Sequence, residues 1–291
     1  MQQSTLDQLR PLILNQLNDL IQVLNINNRE VNIALQKYEN RIQIINKDNY
    51  KLSRLHCLFD WAIGASKGDI YYSSFIKFVT GQISDLLNSI DPKFIGPIKN
   101  TGKLILLTFD DDPSLKNNPR FMNYLGELVG LNHIIQKGKD RFKLLAIEKK
   151  MPNSKRADFE FIDKANGDIV LIEFVSIHGI EPLKIETIQK FMKYLTDRFN
   201  KKIGEKTESL KNHYNRLEME DGTLPNFTIL PIIWSEIEDL LPFRGAFDDL
   251  NSKYANVLPC VSLWPQELED GSIEFCMADV SSIMDGWEAH K

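Results

Sequence analysis

The amino-acid sequence predicts a mixed α/β fold, in which a central sheet is flanked by helices and preceded by a helical N-terminal region. Three observations predict it. Apolar residues recur at helical spacing through the first ninety positions, short apolar runs of strand length follow from residue 142 onward, and one long amphipathic segment separates two of those runs. With 291 residues, of which 43% are hydrophobic, the chain is long enough to bury a sizeable core.

The N-terminal region begins with a strongly periodic segment. The apolar positions of this segment share one helix face: Leu6, Leu9, Ile13, Leu17, Ile21 and Leu24. The same spacing continues in residues 31–45, 52–63 and 72–90. We therefore expect residues 1–95 to form a bundle of helices.

A change of pattern follows at several residues that break helices: Pro92, Gly96, Pro97 and Gly102. After them, residues 104–109 form a short apolar run that predicts a buried strand. This change predicts a domain boundary, with a second domain over residues 96–291.

The elements of the second domain follow a regular order. Residues 123–135 have helical spacing, residues 142–147 and 157–162 read as strands, and residues 168–176 form a further strand. Because Ala165-Asn166-Gly167 is a turn sequence, we expect the last two strands to form an antiparallel hairpin.

A long helix and more strands complete the sheet. Residues 184–217 have helical spacing and lead into an apolar strand at residues 227–234. A right-handed crossover would return that strand beside the hairpin, which makes the sheet mixed. Residues 257–264 and 272–277 are expected to extend the sheet.

Charge is distributed unevenly along the chain. The whole chain carries −5, whereas residues 137–216 carry +6 and residues 217–291 carry −12. The basic segment is suited to follow a phosphate backbone, with these residues as candidate contacts: Lys155, Arg156, Lys190, Lys193, Lys201 and Lys202. An ordinary solvated helix face with charged loops explains the same counts.

The cysteines and the apolar runs indicate the setting of the protein. Cys57, Cys260 and Cys276 form no CxxC pair and are odd in number, which argues against a disulfide framework and a cysteine zinc site. The N-terminus has no basic segment followed by an apolar one, and no apolar run reaches the ~18 residues of a membrane span. We expect a cytoplasmic protein without a membrane partner.

One short motif suggests a serine nucleophile. Gly64-Ala65-Ser66-Lys67-Gly68 matches the GxSxG pattern, but that pattern needs a strand before the serine. The preceding apolar residues have helical spacing, so a helix end with glycine caps is the better interpretation.

The predicted hairpin carries two acids that need an explanation. Alternation along the first strand places Asp158 and Glu160 on one face, opposite two phenylalanines. Glu173 lies within an apolar strand that should be buried on both faces, where an acid is costly unless it is paired, protonated or bound to a metal.

The turn sequence sets which residues face each other across the hairpin. Residues whose numbers sum to about 331 to 333 should lie opposite one another, so Asp158 falls beside Glu173 or its neighbours. Two carboxylates at that distance repel, which raises one pKa unless a divalent cation lies between them. Mg²⁺ (or Mn²⁺) suits such oxygen ligands, and the carbonyl of Phe174 is a candidate third ligand.

This arrangement resembles the PD-(D/E)XK nuclease superfamily, which has the restriction-endonuclease-like fold. The resemblance covers residues 120–235, where helix, three strands, helix and strand follow that family's order. It implies that Asp158 and Glu173 are the two metal-binding acids, and that Glu127 stands where the family often has a glutamate on the preceding helix.

Two positions depart from the family's motif. Ala157 replaces the proline, and Val175 replaces the lysine that orients the attacking water and offsets charge at the phosphorus. The resemblance implies a substitute from the following helix, for which Lys190, Lys193 and Gln189 are the candidates. Lys155 is a weaker one.

The resemblance implies a Mg²⁺-dependent endonuclease that hydrolyses phosphodiester bonds in DNA, expected to be double-stranded, for restriction or defence. The alternative is a catalytically inactive module of the same fold that binds nucleic acid or a protein. Residues 1–95 would hold DNA, form a homodimer or bind a partner, and the sequence leaves these three open.

Overall fold

The computed structural model describes most of the chain, namely residues 5–47, 57–109, 120–150, 155–178, 187–217, 226–234, 237–253 and 257–289. The chain divides into two compact units. One comprises residues 1–132 with residues 265–276, and the other comprises residues 133–264 with residues 277–291. The expected boundary after residue 95 therefore lies inside the first unit.

The first unit contains the N-terminal helices. Their bounds are Thr5–Val23 (α1), Asn28–Lys47 (α2), Leu58–Ser66 (α3), Ile70–Ser89 (α4) and Ile95–Leu107 (α5), and Arg120–Gly138 (α6) runs from this unit into the second. The helices predicted over residues 6–24 and 72–90 are confirmed as α1 and α4. Fully buried side chains of their apolar faces, such as Ile13, Leu17 and Phe75, form the core of this unit.

The strand predicted over residues 104–109 is wrong, because residues 95–107 form α5. A short apolar run does not by itself distinguish a strand from a buried helix. Pro97 lies in the first turn of α5, where a proline is tolerated. Gly102 is required for packing rather than for breaking the helix, since an added Cβ would lie 2.3 Å from the Leu24 side chain.

The GxSxG segment forms a helix end, as predicted. Helix α3 ends at Ser66, and the next residue caps it with main-chain bonds from Lys67 to the preceding turn. Gly68 then adopts a φ of +85°, a left-handed conformation that favours glycine. Because a helix rather than a strand precedes Ser66, this segment is not a nucleophile elbow.

The mixed α/β architecture is confirmed by a six-stranded open sheet. The strands are Phe142–Lys150 (β1), Arg156–Asp163 (β2), Ile169–His178 (β3), Asn226–Trp234 (β4), Val261–Glu267 (β5) and Ile273–Asp279 (β6), in the spatial order β1-β2-β3-β4-β5-β6. Strands β1, β2 and β3 are antiparallel, whereas β4 is parallel to both β3 and β5.

A long helix connects the hairpin to the parallel part of the sheet. Helix α7, Ile188–Leu217, lies between β3 and β4, as the sequence predicted. Its residues Phe191, Leu195 and Phe199 are fully buried in one cluster with Val175 and Ile177 of β3. Three shorter helices follow β4 and β6: Ile237–Leu240 (α8), Arg244–Lys253 (α9) and Val280–Ala289 (α10).

Among the helices in the described ranges, none combines the length and the apolar character that crossing a bilayer requires.

Close packing at Gly64 gives a testable consequence of the first unit. A Cβ added to this α3 residue would lie 2.0 Å from a ring carbon of Tyr72. Gly64→Ala should therefore lower the free energy of unfolding by about 1–3 kcal/mol, as overpacking does. Urea denaturation followed by circular dichroism measures this.

The control is Gly81→Ala in α4, where no atom lies within 4 Å of an added Cβ. This substitution should stabilise the protein by up to about 1 kcal/mol, because alanine favours the helix. Equal effects of the two substitutions would contradict the packing at Gly64.

Candidate functional site

The predicted hairpin register is confirmed. Phe159 lies opposite Ile172 and Glu160 opposite Leu171, so paired residue numbers sum to 331. In the same register, the next pair of opposite residues is Asp158 and Glu173. The main-chain N–H of Phe174 donates a hydrogen bond of 2.8 Å to Asp158 Oδ2, which holds this carboxylate against β3.

The two acids lie on the face of the sheet that α7 covers. Side chains alternate along β3, so Leu171, Glu173 and Val175 share one face. Leu171 and Val175 belong to the cluster formed with Phe191 and Leu195 of α7. Since opposite residues of an antiparallel pair point to the same side, Asp158 faces the same helix.

Two lysines of α7 reach Glu173, whose side chain is only 2% exposed. Lys202 Nζ donates a hydrogen bond of 2.8 Å to Glu173 Oε1. Lys206 Nζ lies 3.0 Å from Glu173 Oε2 and donates to the main-chain carbonyl oxygen of Arg156 on β2. Lys202 and Lys206 are four residues apart, so they lie on one side of α7 on consecutive turns.

The lysines expected at this position lie elsewhere. Lys190 and Lys193 are exposed residues near the start of α7. Lys190 precedes Lys202 by twelve residues, which is about 18 Å along the helix axis. The cationic groups beside Glu173 therefore come from the middle of α7, because only that part of the helix lies over this part of β3. Gln189 is exposed at the same N-terminal end.

The side chain of Val175 is part of the hydrophobic core. It is 2% exposed and lies in the cluster with Phe191, Leu195 and Phe199. A lysine at this position would place its ammonium group among apolar side chains, at a large desolvation cost. The helix instead supplies positive charge two residues away along β3, at Glu173.

The environment of Asp158 raises its pKa to about 7. Desolvation by burial is the largest cause, and repulsion by the Glu173 carboxylate adds to it. The hydrogen bond from Phe174 and the nearby Lys202 and Lys206 oppose the increase. The sequence-based expectation that this pair would raise the pKa of one carboxyl group is confirmed.

Other proposed site residues are distributed more widely. Arg156 forms an ion pair with Glu148, and Lys155 lies 3.3 Å from Glu205, so acids of this chain balance both cations. Lys193 and Lys201 are exposed on α7. Glu127 is a half-buried residue of α6 in the first unit.

The donor atoms at the two acids fit a small oxygen-seeking cation. Within the described ranges, no group of three His, Cys, Asp or Glu side chains is placed to hold a metal. Mg²⁺ needs fewer protein ligands, because it retains water and is commonly held by one or two carboxylates. Glu173 Oε2 is a buried oxygen that accepts no hydrogen bond from the described residues but lies 3.0 Å from Lys206 Nζ, so a metal ion bound there would share this oxygen with an ammonium group.

The sequence analysis assigned Lys202 to nucleic-acid binding and did not place Lys206 near the two acids. The sequence nevertheless contains a pattern that indicates both lysines. The core-facing positions Phe191, Leu195 and Phe199 recur at helical spacing, and Lys202 and Lys206 continue the same stripe. Lysines on an apolar stripe, opposite a strand that contains a buried acid, indicate an ion-pair cluster.

Comparison with known proteins gives no relative for this chain. No protein-family model matches it, and neither any curated protein nor any solved structure is significantly similar.

The buried position of Lys206 predicts a large loss of stability when its charge is removed. Its side chain is 8% exposed, and Lys206→Met leaves the Glu173 carboxylate with one partner fewer in a desolvated site. We expect the free energy of unfolding to fall by about 3 kcal/mol in chemical denaturation. Lys155→Met is the matched control, because that exposed ion pair contributes about 1 kcal/mol or less. Equal losses would show that the Lys206 pair is not desolvated.

The raised pKa of Asp158 predicts a pH dependence of stability. At pH values between the ordinary pKa of an aspartate and about 7, Asp158 holds a proton in the folded protein, whereas the same group has released its proton in the unfolded chain. The free energy of unfolding should therefore fall, through this group, as pH rises from about 4 to about 7, by a few kcal/mol at most. Asp158→Asn should remove this part of the slope in denaturation measured with EDTA present.

Glu160→Gln is the control for the pH experiment. Glu160 lies two residues from Asp158 on the same strand and pairs with Lys149 at 3.0 Å. This variant should keep the wild-type slope over the same pH range. If Asp158→Asn also kept it, Asp158 would not be the titrating group.

Proposed function

We propose that this protein is a metal-dependent endonuclease that hydrolyses phosphodiester bonds in DNA, with a restriction-endonuclease-like domain of the PD-(D/E)XK type. The observation that carries the proposal is the meeting of Asp158 and Glu173 on one face of a hairpin, with Lys202 and Lys206 of the following helix beside them. A buried carboxylate beside a half-buried one, with adjacent ammonium groups, supplies the side chains that hydrolysis of a phosphodiester needs.

The order and pairing of the elements support the same function. Helix α6 is followed by three antiparallel strands, then by α7, and then by β4 parallel to β3. This is the order on which the resemblance to the nuclease superfamily rests. The paired acids lie on the two strands where the resemblance implies them, at Asp158 and Glu173.

The carboxylates of Asp158 and Glu173, with the main-chain carbonyl of Phe174, would hold Mg²⁺ or Mn²⁺. The chemistry that such an ion supplies is to acidify a water molecule and to neutralise charge on the phosphate. Asp158 is oriented for this role by the Phe174 N–H, and must lose its proton before it binds a cation.

The two lysines have different environments and therefore different roles. Lys206 is buried and bound both to Glu173 and to the Arg156 carbonyl, so it positions Glu173. The Lys202 side chain is 40% exposed while it contacts Glu173, so its ammonium group is accessible to a substrate phosphate. Lys202 would supply the charge that Val175 does not, by contacting the phosphate or orienting the attacking water.

A specific observation favours a second candidate function, an inactive module of the same fold that binds nucleic acid or protein. Each oxygen of Glu173 already has a lysine within 3.0 Å, so Glu173 is neutralised without a metal. In this alternative, the exposed Lys193 and Lys201 contact a phosphate backbone and the acids serve stability alone. A homodimer through residues 1–95 stays a prediction under either function.

Cleavage of supercoiled plasmid DNA tests the proposal. The wild-type protein should nick or linearise the plasmid with Mg²⁺ or Mn²⁺ and not with EDTA. Asp158→Asn and Glu173→Gln should abolish cleavage, and Lys202→Met should slow it by about 100-fold, the usual effect of removing one group that stabilises developing charge. Cleavage that persists in both acid variants would refute the assignment.

Two matched controls keep general destabilisation apart from loss of chemistry. Glu160→Gln and Lys149→Met alter a carboxylate and a lysine of the same sheet and should cleave close to the wild-type rate. Melting with and without Mn²⁺ separates the two candidate functions, since an ion bound only by the folded state raises the melting temperature. A protein that binds DNA, shows no metal-dependent rise and cuts nothing is the inactive module.

A further inference from the structure

The second unit contains a cavity of about 650 Å³ on the face of the sheet opposite the carboxylates. Val170 and Ile172 of β3 and Thr228 of β4 line it. These residues alternate with Leu171 and Ile229, which pack on the α7 side. We call this cavity the sheet-floor pocket. Its volume lies within the range of ordinary small-molecule sites.

The sheet-floor pocket combines a flat apolar floor with polar groups at one side. The floor consists of Val170, Ile172, Leu230 and Val261. The side chains of Asn226 and Thr228 lie at the start of β4, on the same face. A planar ring would rest on the aliphatic floor, and its polar edge would find the amide and the hydroxyl group as hydrogen-bond partners.

The other side of the sheet-floor pocket carries a cation held in a fixed position. Arg141 Nε donates a hydrogen bond of 2.7 Å to Asp163 Oδ2, and its Nη2 lies 2.7 Å from the same oxygen. The guanidinium group lies 5.1 Å from the centroid of the Phe142 ring. Asp163 is itself held, because it accepts a hydrogen bond from the Ala165 N–H. Lys137, in the last turn of α6, adds a second cation.

The sheet determines the distance between these two sides. Arg141 immediately precedes β1, whereas Asn226 and Thr228 lie on β4, three strand spacings away. At the usual spacing this is about 14 Å. A ligand that reaches both sides is therefore elongated, with an anionic group at one end and a ring with polar edge atoms at the other.

The charges that line the pocket favour a ligand with one phosphate group over a ligand with several. Besides Lys137 and Arg141, the pocket lining includes two acids, Asp163, which pairs with Arg141, and Asp279. His133 also lines the pocket, and burial, together with the nearby Lys137, lowers its pKa, so the imidazole adds no charge at neutral pH. A chain of several phosphates would be repelled by the two aspartates, whereas a single phosphate group can bind to the two cations.

We propose that the sheet-floor pocket binds a nucleoside monophosphate. The base lies on the floor formed by Val170, Ile172 and Leu230, with Asn226 and Thr228 at its polar edge. The phosphate group is bound by Arg141 and Lys137. This site is separated from Asp158 and Glu173 by the sheet, and it does not depend on the proposed nuclease activity.

Calorimetric titration of the full-length protein with AMP, GMP, CMP and UMP, in the presence of EDTA, tests the proposal. EDTA removes divalent ions, so metal-mediated binding at Asp158 and Glu173 is excluded. At least one mononucleotide should bind saturably, and its nucleoside and inorganic phosphate should each bind at least about tenfold more weakly, because each lacks one of the two groups.

Substitutions then locate the binding. Thr228→Phe should abolish it by filling the pocket, and Lys137→Met should weaken it about tenfold. If Thr228→Phe does not fold, Thr228→Val takes its place. This substitution keeps the side-chain volume but removes the hydroxyl group, so it should weaken mononucleotide binding. Lys67→Met, at the end of α3 in the first unit, is the matched control and should bind like the wild type. Absence of binding by all four mononucleotides, or unchanged binding in the Thr228 and Lys137 variants, would overturn the proposal.

Discussion

The structure of the second unit depends on one buried carboxylate. Glu173 lies in the middle of a sheet with 2% of its side chain exposed, where an unpaired charge would cost several kcal/mol. Lys202 and Lys206 offset that cost, and Lys206 also binds a carbonyl oxygen of β2. The strands β2 and β3 and the helix α7 are thereby held in one register, since a helix shifted by one turn would leave Glu173 without one of its partners.

The same helix provides both the core and the charges of the candidate site. Phe191, Leu195 and Phe199 pack on the sheet through apolar contacts, and the stripe then continues as Lys202 and Lys206. This division accounts for Val175. A strand position beneath the apolar part of the helix must be apolar, so the positive charge is supplied farther along α7, where the strand presents an acid.

The two faces of the sheet have different chemistry because strand side chains alternate. On the α7 face, the acids are desolvated and surrounded by lysines, and the pKa of Asp158 rises to about 7. On the opposite face, aliphatic side chains and the amide and hydroxyl groups of β4 line an open cavity with a fixed arginine at its border. One set of strands therefore presents two faces of different chemistry, and substitutions on one face need not alter the other.

Local patterns in the sequence determined the elements of this protein, whereas tertiary packing decided which of its charges meet. The Asn166-Gly167 turn and strand alternation were sufficient for the hairpin register and for the pairing of Asp158 with Glu173, because both depend on residues close in sequence. The strand predicted for the apolar run at residues 104–109 is wrong, since a short apolar run fits a strand and a buried helix equally well, and the packing of α5 on its neighbours is not visible in the local sequence. The apolar stripe of α7 separates Lys202 and Lys206, which continue it, from Lys190 and Lys193, but the stripe does not show which residue of β3 these lysines reach. Only the position of α7 over the sheet decides which lysines lie above Glu173.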